Sequence, residues 1–305
     1  MLPPLLLDLF LWLGPRLKVE PVVGEIRSLI DMSLLPADPR GDISTQIELL
    51  KTLLEDFGAR FNLLTSLSSI PIGVPSLIKA RMPLEDPLRV SAEMEVPSAG
   101  GILGLWLVFA VLGVGLGALY HRMIAKPDGL KDDRPGLGGL WGRLLLFSAA
   151  AYLLLGALMT AVLIVVSIAG LLSSVLSVIL TVLGFSLIFW VALFFVFAPH
   201  GMVRNGLGLF GAIVESVQLV RWNVRSTIWY LTLAFIISWL TGQVWFLPAE
   251  DSWFNLLAIL GHAFVVTMLI AGSYIFYQSR REWLMRVQAS LLEAVRAGNA
   301  PGGGM

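Results

Sequence analysis

At 305 residues, with 57% hydrophobic and 14% charged side chains and a mean hydropathy of +0.82, the chain lies outside the range of water-soluble domains. Lysine plus arginine and aspartate plus glutamate balance at 21 each, so net charge points to no nucleic-acid partner and the positions of the charges carry the information. The absence of cysteine excludes a disulfide framework, a thiol nucleophile and any cysteine-ligated metal or cluster.

In chain order, residues 1–14 hold the apolar run LPPLLLDLFLWLG, interrupted by Asp8. It is short of the roughly 20 helical residues that cross a ~30 Å hydrocarbon core. A signal peptide would want a basic n-region and a small-residue cleavage site, and neither is present. The run therefore reads as a partial or short first membrane segment, either the outer half of a span or a helix wedged beside the others.

Residues 15–97 carry nine basic and twelve acidic side chains and read as a water-facing helical insertion. A weak helix is expected over 22–35. The clearest element starts at Asp42, a good N-cap, and runs to about Ser66 with Ile43, Ile47, Leu50, Leu54, Phe57, Phe61 and Leu64 in a heptad stripe. Lys51 with Glu55 and Asp56 with Arg60 supply i,i+4 pairs on other faces. Such a stripe needs a cover: the rest of the insertion, the lipid surface, a partner protein or a second copy. Pro71 and Pro75 end the pattern, and the remainder to Pro97 reads as extended loop.

Residues 98–278 read as a five-span bundle. Gly101–Tyr120 is the first full span, and its Gly113-x-x-x-Gly117 permits close approach by a neighbouring helix of the same chain. A basic connector follows, with Arg122, Lys126, Lys131, Arg134 and Arg143. From Leu144 to Ala198 there is no charged residue or histidine, which suits two crossings with a turn near Ser167–Ser174. Ser226–Leu247 and Trp253–Tyr277 complete the spans, joined by the acidic turn 248–252. Trp229, Tyr230, Trp245, Trp253 and Tyr277 fall at expected water boundaries, where amphipathic rings anchor.

Between the third and fourth full spans lies an elbow. Phe210, Ile213, Val214, Val217 and Val220 make one greasy stripe, predicting an interfacial helix over 207–222 with Glu215 and Gln218 on another side. Arg204, Glu215, Gln218, Arg221 and Arg225 are its candidate contacts with anionic lipid or an acidic partner. The tail, 279–305, repeats the chemistry with Arg280, Arg281 and Arg286 beside Trp283 and Leu284 before dissolving into glycine. Because the positive residues crowd 121–143, 199–225 and the tail, all three are expected in the cytoplasm, which puts both termini there and 15–97 outside.

Catalytic patterns are missing. His121 and His200 stand at span ends, no metal-binding histidine spacing occurs, and GLGLFG at 206–211 follows a membrane span rather than a strand, the wrong context for a dinucleotide loop. No cofactor or metal is expected. Asp8 and His262 are the intramembrane polar residues, each open to a hydrogen-bonding or a functional reading.

The segments FAPHGMV, AIVES and SVQLVRWN, with Ser216, Leu219, Arg221 and Asn223 as matching positions, resemble the six-span membrane domain attached to some glycerophosphodiester phosphodiesterases and found in related membrane proteins. The chain departs from that pattern in Glu215, directly before Ser216, and in the 15–97 insertion. The resemblance implies a six-span helical module without catalysis of its own. The expectation is thus an all-α polytopic transmembrane bundle in the plasma membrane. It would serve as an interaction, assembly or organising subunit that contacts membrane lipids and, through residues 42–66, a protein partner or another copy. Small-solute or lipid transport is the alternative.

Overall fold

The computed structural model describes residues 1–32, 42–69, 71–81, 87–88, 91–125 and 135–298. Lys126, Lys131 and Arg134 of the basic connector, residues 33–35 of the weak helix and the final glycines lie outside them, as does the side chain of Ile43. The protein is an all-α polytopic helical bundle. Five helices are long and apolar enough to cross a membrane: Ala99–Ile124, Leu137–Leu172, Ser174–Asn205, Leu209–Trp245 and Asn255–Glu293. The described residues form two compact units, Met1–Tyr120 with Ile237–Thr267, and His121–Ile236 with the chain from Met268 on.

The first unit begins with α1, Leu2–Leu13, whose first turn holds Pro3 and Pro4, where a missing N–H costs nothing. A short strand β1, Arg16–Lys18, follows and pairs in parallel with β2, Glu93–Glu95. Between them run α2, Glu20–Met32, and α3, Asp42–Arg60. Val19, Val23, Leu63 and Val96 form a buried cluster with Leu54 and Phe61 of this insertion and Ile102, Leu105 and Phe109 of α5, Ala99–Ile124, packed around it. Asn62 joins the pieces, its Oδ1 accepting from the N–H groups of both Leu17 and Leu64 at 3.1 Å.

Two expectations for this region change. The heptad helix stops at Arg60, and Leu64 lies buried in a 3₁₀ turn, Leu63–Leu67. Residues 63–80 are also not a water-facing loop, because Ile72, Val74, Leu77 and Ile78 are buried. Gly113 and Gly117 of α5 lie against the backbone of Leu67 and Ile72, where a methyl group on either glycine would collide. The close neighbour of that glycine pair is thus the end of the 3₁₀ turn and the irregular backbone after it, not another long helix. Gly117 stands 18 residues beyond Ala99, about 27 Å along the axis at ~1.5 Å per residue, so non-helical chain runs beside a crossing helix. Such backbone is tolerated there because protein buries it.

In the second unit, α6, Leu137–Leu172, and α7, Ser174–Phe195, form a hairpin that breaks at Ser173, inside the expected turn. Ser173 caps α7 by accepting from Leu176 N–H. A short α8, Ala198–Asn205, which the sequence pattern did not suggest, ends at Gly206 with φ 64°, a left-handed position that glycine occupies without strain. The elbow helix is not free-standing: α9, Leu209–Trp245, continues from it into the next crossing through a kink at Asn223. The final helix, α10, is Asn255–Gly298. Leu193, Phe197, Leu219, Val220 and Tyr277 make this unit's core, so Tyr277 is buried, not a boundary anchor.

Candidate functional site

Asn223 leaves helical geometry (φ −129°, ψ 27°), and its Nδ2 donates to Leu219 O at 3.1 Å while Ser226 Oγ donates to Asn223 O at 3.1 Å. Side chains thus replace part of the backbone ladder and let α9 bend. At the bend a groove of about 550 Å³ opens, lined on α9 by Trp222, Asn223, Val224, Arg225, Ser226 and Trp229 and on α10 by Arg280 and Trp283. Arg225 is exposed; Arg280 is half-buried, with its guanidinium 5.4 Å from the centre of the Phe276 ring. The buried Nε of Arg280 has no hydrogen-bond partner, and neither arginine meets a carboxylate among the described residues. Two positive charges share a groove whose lining holds no acid.

The other elbow residues are arranged differently from their helical spacing. Glu215 accepts from Arg281 Nε through both oxygens, at 3.1 and 3.0 Å, and from the Tyr277 hydroxyl. Asn205 Nδ2 donates to that hydroxyl at 2.6 Å. Glu215 therefore neutralises Arg281 on α10 and not an arginine of its own helix. Arg204 lines a smaller pocket of about 260 Å³ beside Arg281 and Tyr277, while Gln218 and Arg221 are exposed. The groove joins Arg225 to Arg280, a pairing that i,i+4 spacing with Arg221 does not reveal, since the kink interrupts the period. Ser216 ties α9 to the end of α7, accepting from Phe197 N–H at 3.1 Å and donating to Phe194 O at 2.7 Å. Nearby, His200 Nε2 meets Ser273 Oγ at 2.8 Å and His121 Nδ1 meets the Tyr274 hydroxyl at 3.1 Å.

The first unit holds the other polar centre. Asp8 is 0% exposed. It accepts from Ser76 Oγ at 2.5 Å, Leu77 N–H at 3.1 Å and Ile78 N–H at 3.3 Å, so it caps the short helix α4, Leu77–Ala80, together with Ser76. His262 Nδ1 lies 3.7 Å from Asp8 Oδ2 and has no hydrogen-bond partner among the described residues. The two polar residues singled out within apolar runs of the sequence thus lie beside each other. Ser76 and Lys79 stand in Ser-x-x-Lys spacing, yet Ser76 Oγ is turned to Asp8 and Lys79 Nζ donates to Ser68 O at 2.5 Å. A nucleophile needs its base within hydrogen-bond reach, and these two do not meet. Burial holds the Lys79 ammonium below its ordinary pKa. Arg81 closes the unit, donating to Asn255 Oδ1 and to the carbonyls of Pro248 and Trp245, the end of α9. Burial lowers its pKa, against the opposing charge of Glu250.

The stripe of α3 divides. Ile47, Leu54 and Phe61 are half-buried, whereas Leu50 and Phe57 are 46% and 50% exposed, beside exposed Leu49 and Leu53. Gly58 abuts Val23 and Glu55 pairs with Arg27 at 3.0 Å, so α2 takes the inner face. Arg60 pairs with Asp56 at 2.5 Å as spaced; Lys51 pairs with Glu48 at 3.0 Å.

Among the described residues no three His, Asp or Glu side chains gather into a metal site. Fold and composition define an integral membrane protein of the α-helical, multi-pass class. Comparison with family models, with curated proteins and with solved structures gives no match.

Proposed function

We propose that this protein is a non-catalytic interaction or organising subunit of the membrane that holds anionic lipid at the Arg225–Arg280 groove. One observation carries the reading: two arginines with no carboxylate partner among the described residues, one of them with a buried, unmade N–H donor, share a groove with three tryptophans on α9 and α10. Guanidinium groups fit phosphate oxygens, and tryptophan favours the headgroup level. Interfacial basic residues contribute about 1 kcal/mol each toward anionic lipid, so Arg225→Gln with Arg280→Gln should lower anionic-lipid retention in native mass spectrometry roughly 30-fold relative to phosphatidylcholine. Unchanged retention refutes the reading.

The basic segments then face the cytoplasm of a plasma membrane, with 15–97 and 248–252 opposite. Cysteines introduced at positions 130, 250 and 300 test this with an impermeant maleimide: labelling from outside at 250 alone is expected, and equal labelling at 130 overturns it. Residues 42–66 would meet a protein partner or a second copy through the exposed face of α3.

The Asp8–His262 contact favours a second reading, proton-coupled solute movement, because carboxylate and imidazole groups inside membranes serve as proton relays. Proteoliposomes enclosing a pH-sensitive dye decide between them: acidification dependent on Asp8 supports transport, and leakage equal in wild type and Asp8→Asn supports the subunit reading.

A further inference from the structure

We infer that the Arg225–Arg280 groove selects a phosphate headgroup bearing two negative charges over one bearing a single charge. This rests on the lipid reading above and deepens it. Glu215 already cancels Arg281, and Glu282, the acid nearest in sequence to Arg280, lines the neighbouring pocket, where it accepts from Gln278 at 3.1 Å. The groove therefore keeps both of its positive charges. A phosphodiester with one charge that meets the half-buried Arg280 leaves the exposed Arg225 with no counter-charge but the solvent's. A second negative charge in the groove gains the attraction of that second arginine, about 1 kcal/mol, or about fivefold in affinity, for an interfacial basic residue. The Arg280 Nε, buried without a partner, is a donor already pointed away from water. Its guanidinium is braced on Phe276, which limits its freedom to swing out to a single phosphate shared with Arg225.

A volume of about 550 Å³ admits a whole headgroup and not only one phosphate. The two charges come either from one phosphomonoester, as in phosphatidic acid, whose second ionisation lies near pH 6, or from two phosphodiesters, as in diphosphatidylglycerol. Both present the same dianionic phosphate chemistry to the arginines.

The test uses the full chain in detergent, titrated in native mass spectrometry with phosphatidylcholine, phosphatidylglycerol, phosphatidic acid and diphosphatidylglycerol, each with and without inorganic phosphate. Wild type should retain at least one dianionic lipid about fivefold over phosphatidylglycerol, the equivalent of one more interfacial charge pair. Arg280→Gln should erase that preference while still retaining phosphatidylglycerol over phosphatidylcholine, and Arg280→Lys should keep the preference in part. A phosphatidic-acid preference that fades between pH 7.5 and 5 puts both charges on one phosphate; a pH-independent preference for diphosphatidylglycerol puts them on two. Equal retention of phosphatidylglycerol and both dianionic lipids overturns the selectivity and leaves the lipid reading standing. Retention of no anionic lipid over phosphatidylcholine overturns the lipid reading itself. Displacement of the lipid by equimolar inorganic phosphate overturns a lipid source for the ligand.

Discussion

Replacing Asp8 by alanine removes the acceptor for three donors at once: Ser76 Oγ, Leu77 N–H and Ile78 N–H. All three contacts are buried from bulk solvent. Ser76 can rotate to another acceptor, but the two amides are fixed by α4 and stay unsatisfied, at about 1–3 kcal/mol each. His262 loses the carboxylate 3.7 Å from its Nδ1. The loss should total about 3–5 kcal/mol, which for a domain of this size corresponds to roughly 10 °C in melting temperature. Asp8→Asn is the finer probe. Its carbonyl can keep the contacts of one oxygen, to Ser76 and Ile78, while its amide confronts Leu77 N–H, so a loss of about 2 kcal/mol is expected. Tryptophan fluorescence during a thermal ramp in detergent reads both variants, and Trp12, packed at 5.8 Å on Trp253, reports on this unit. An alanine variant that melts within 1 °C of wild type would sink the argument, because it would mean that water already reaches the carboxylate.

Three other outcomes are expected. Gly117→Ala should destabilise by about 2 kcal/mol or more, since its methyl meets the Ile72 carbonyl, whereas Gly156→Ala, with open space around it, should be neutral or slightly stabilising by the same melting assay. Leu54→Asp and Phe61→Asp should lower the melting temperature by breaking the cluster around Val23 and Leu63. Leu50→Asp and Leu53→Asp should leave it unchanged and reduce only association, read by cross-linking in membranes; a melting loss in the second pair would assign that face to the interior. For Lys79 the native pKa lies below the ordinary 10.5, so the folded state binds fewer protons than the unfolded one and stability rises with pH as the solution approaches 10.5. Lys79→Met should remove that alkaline gain, and a wild-type profile parallel to the variant's from pH 8 to 10.5 would refute it.

The number and approximate position of the long apolar helices were legible in the chain, though not their full lengths, because insertion into hydrocarbon depends on local hydrophobic length. The charge-free run from Leu144 to Ala198 is two crossings wherever it packs, and Ser173 breaks it inside the expected turn. The start of α3 at Asp42 is local in the same sense, as is the need of Asp8 for a partner. The partners were not legible. Asp8 meets Ser76 68 residues away, Glu215 meets Arg281 66 residues away, and Arg225 finds Arg280 only because α9 bends at Asn223. Periodicity says which side of a helix is apolar, but within lipid an apolar side is equally well covered by acyl chains or by any neighbouring helix, so it selects no partner. Selection came from polar groups that had to be satisfied and from Gly113 and Gly117, whose missing side chains admit backbone. Those terms act between distant parts of the chain, which is why tertiary structure alone decided that Leu67 and Ile72 lie against α5 and that the Arg225–Arg280 groove is lined by no acid among the described residues.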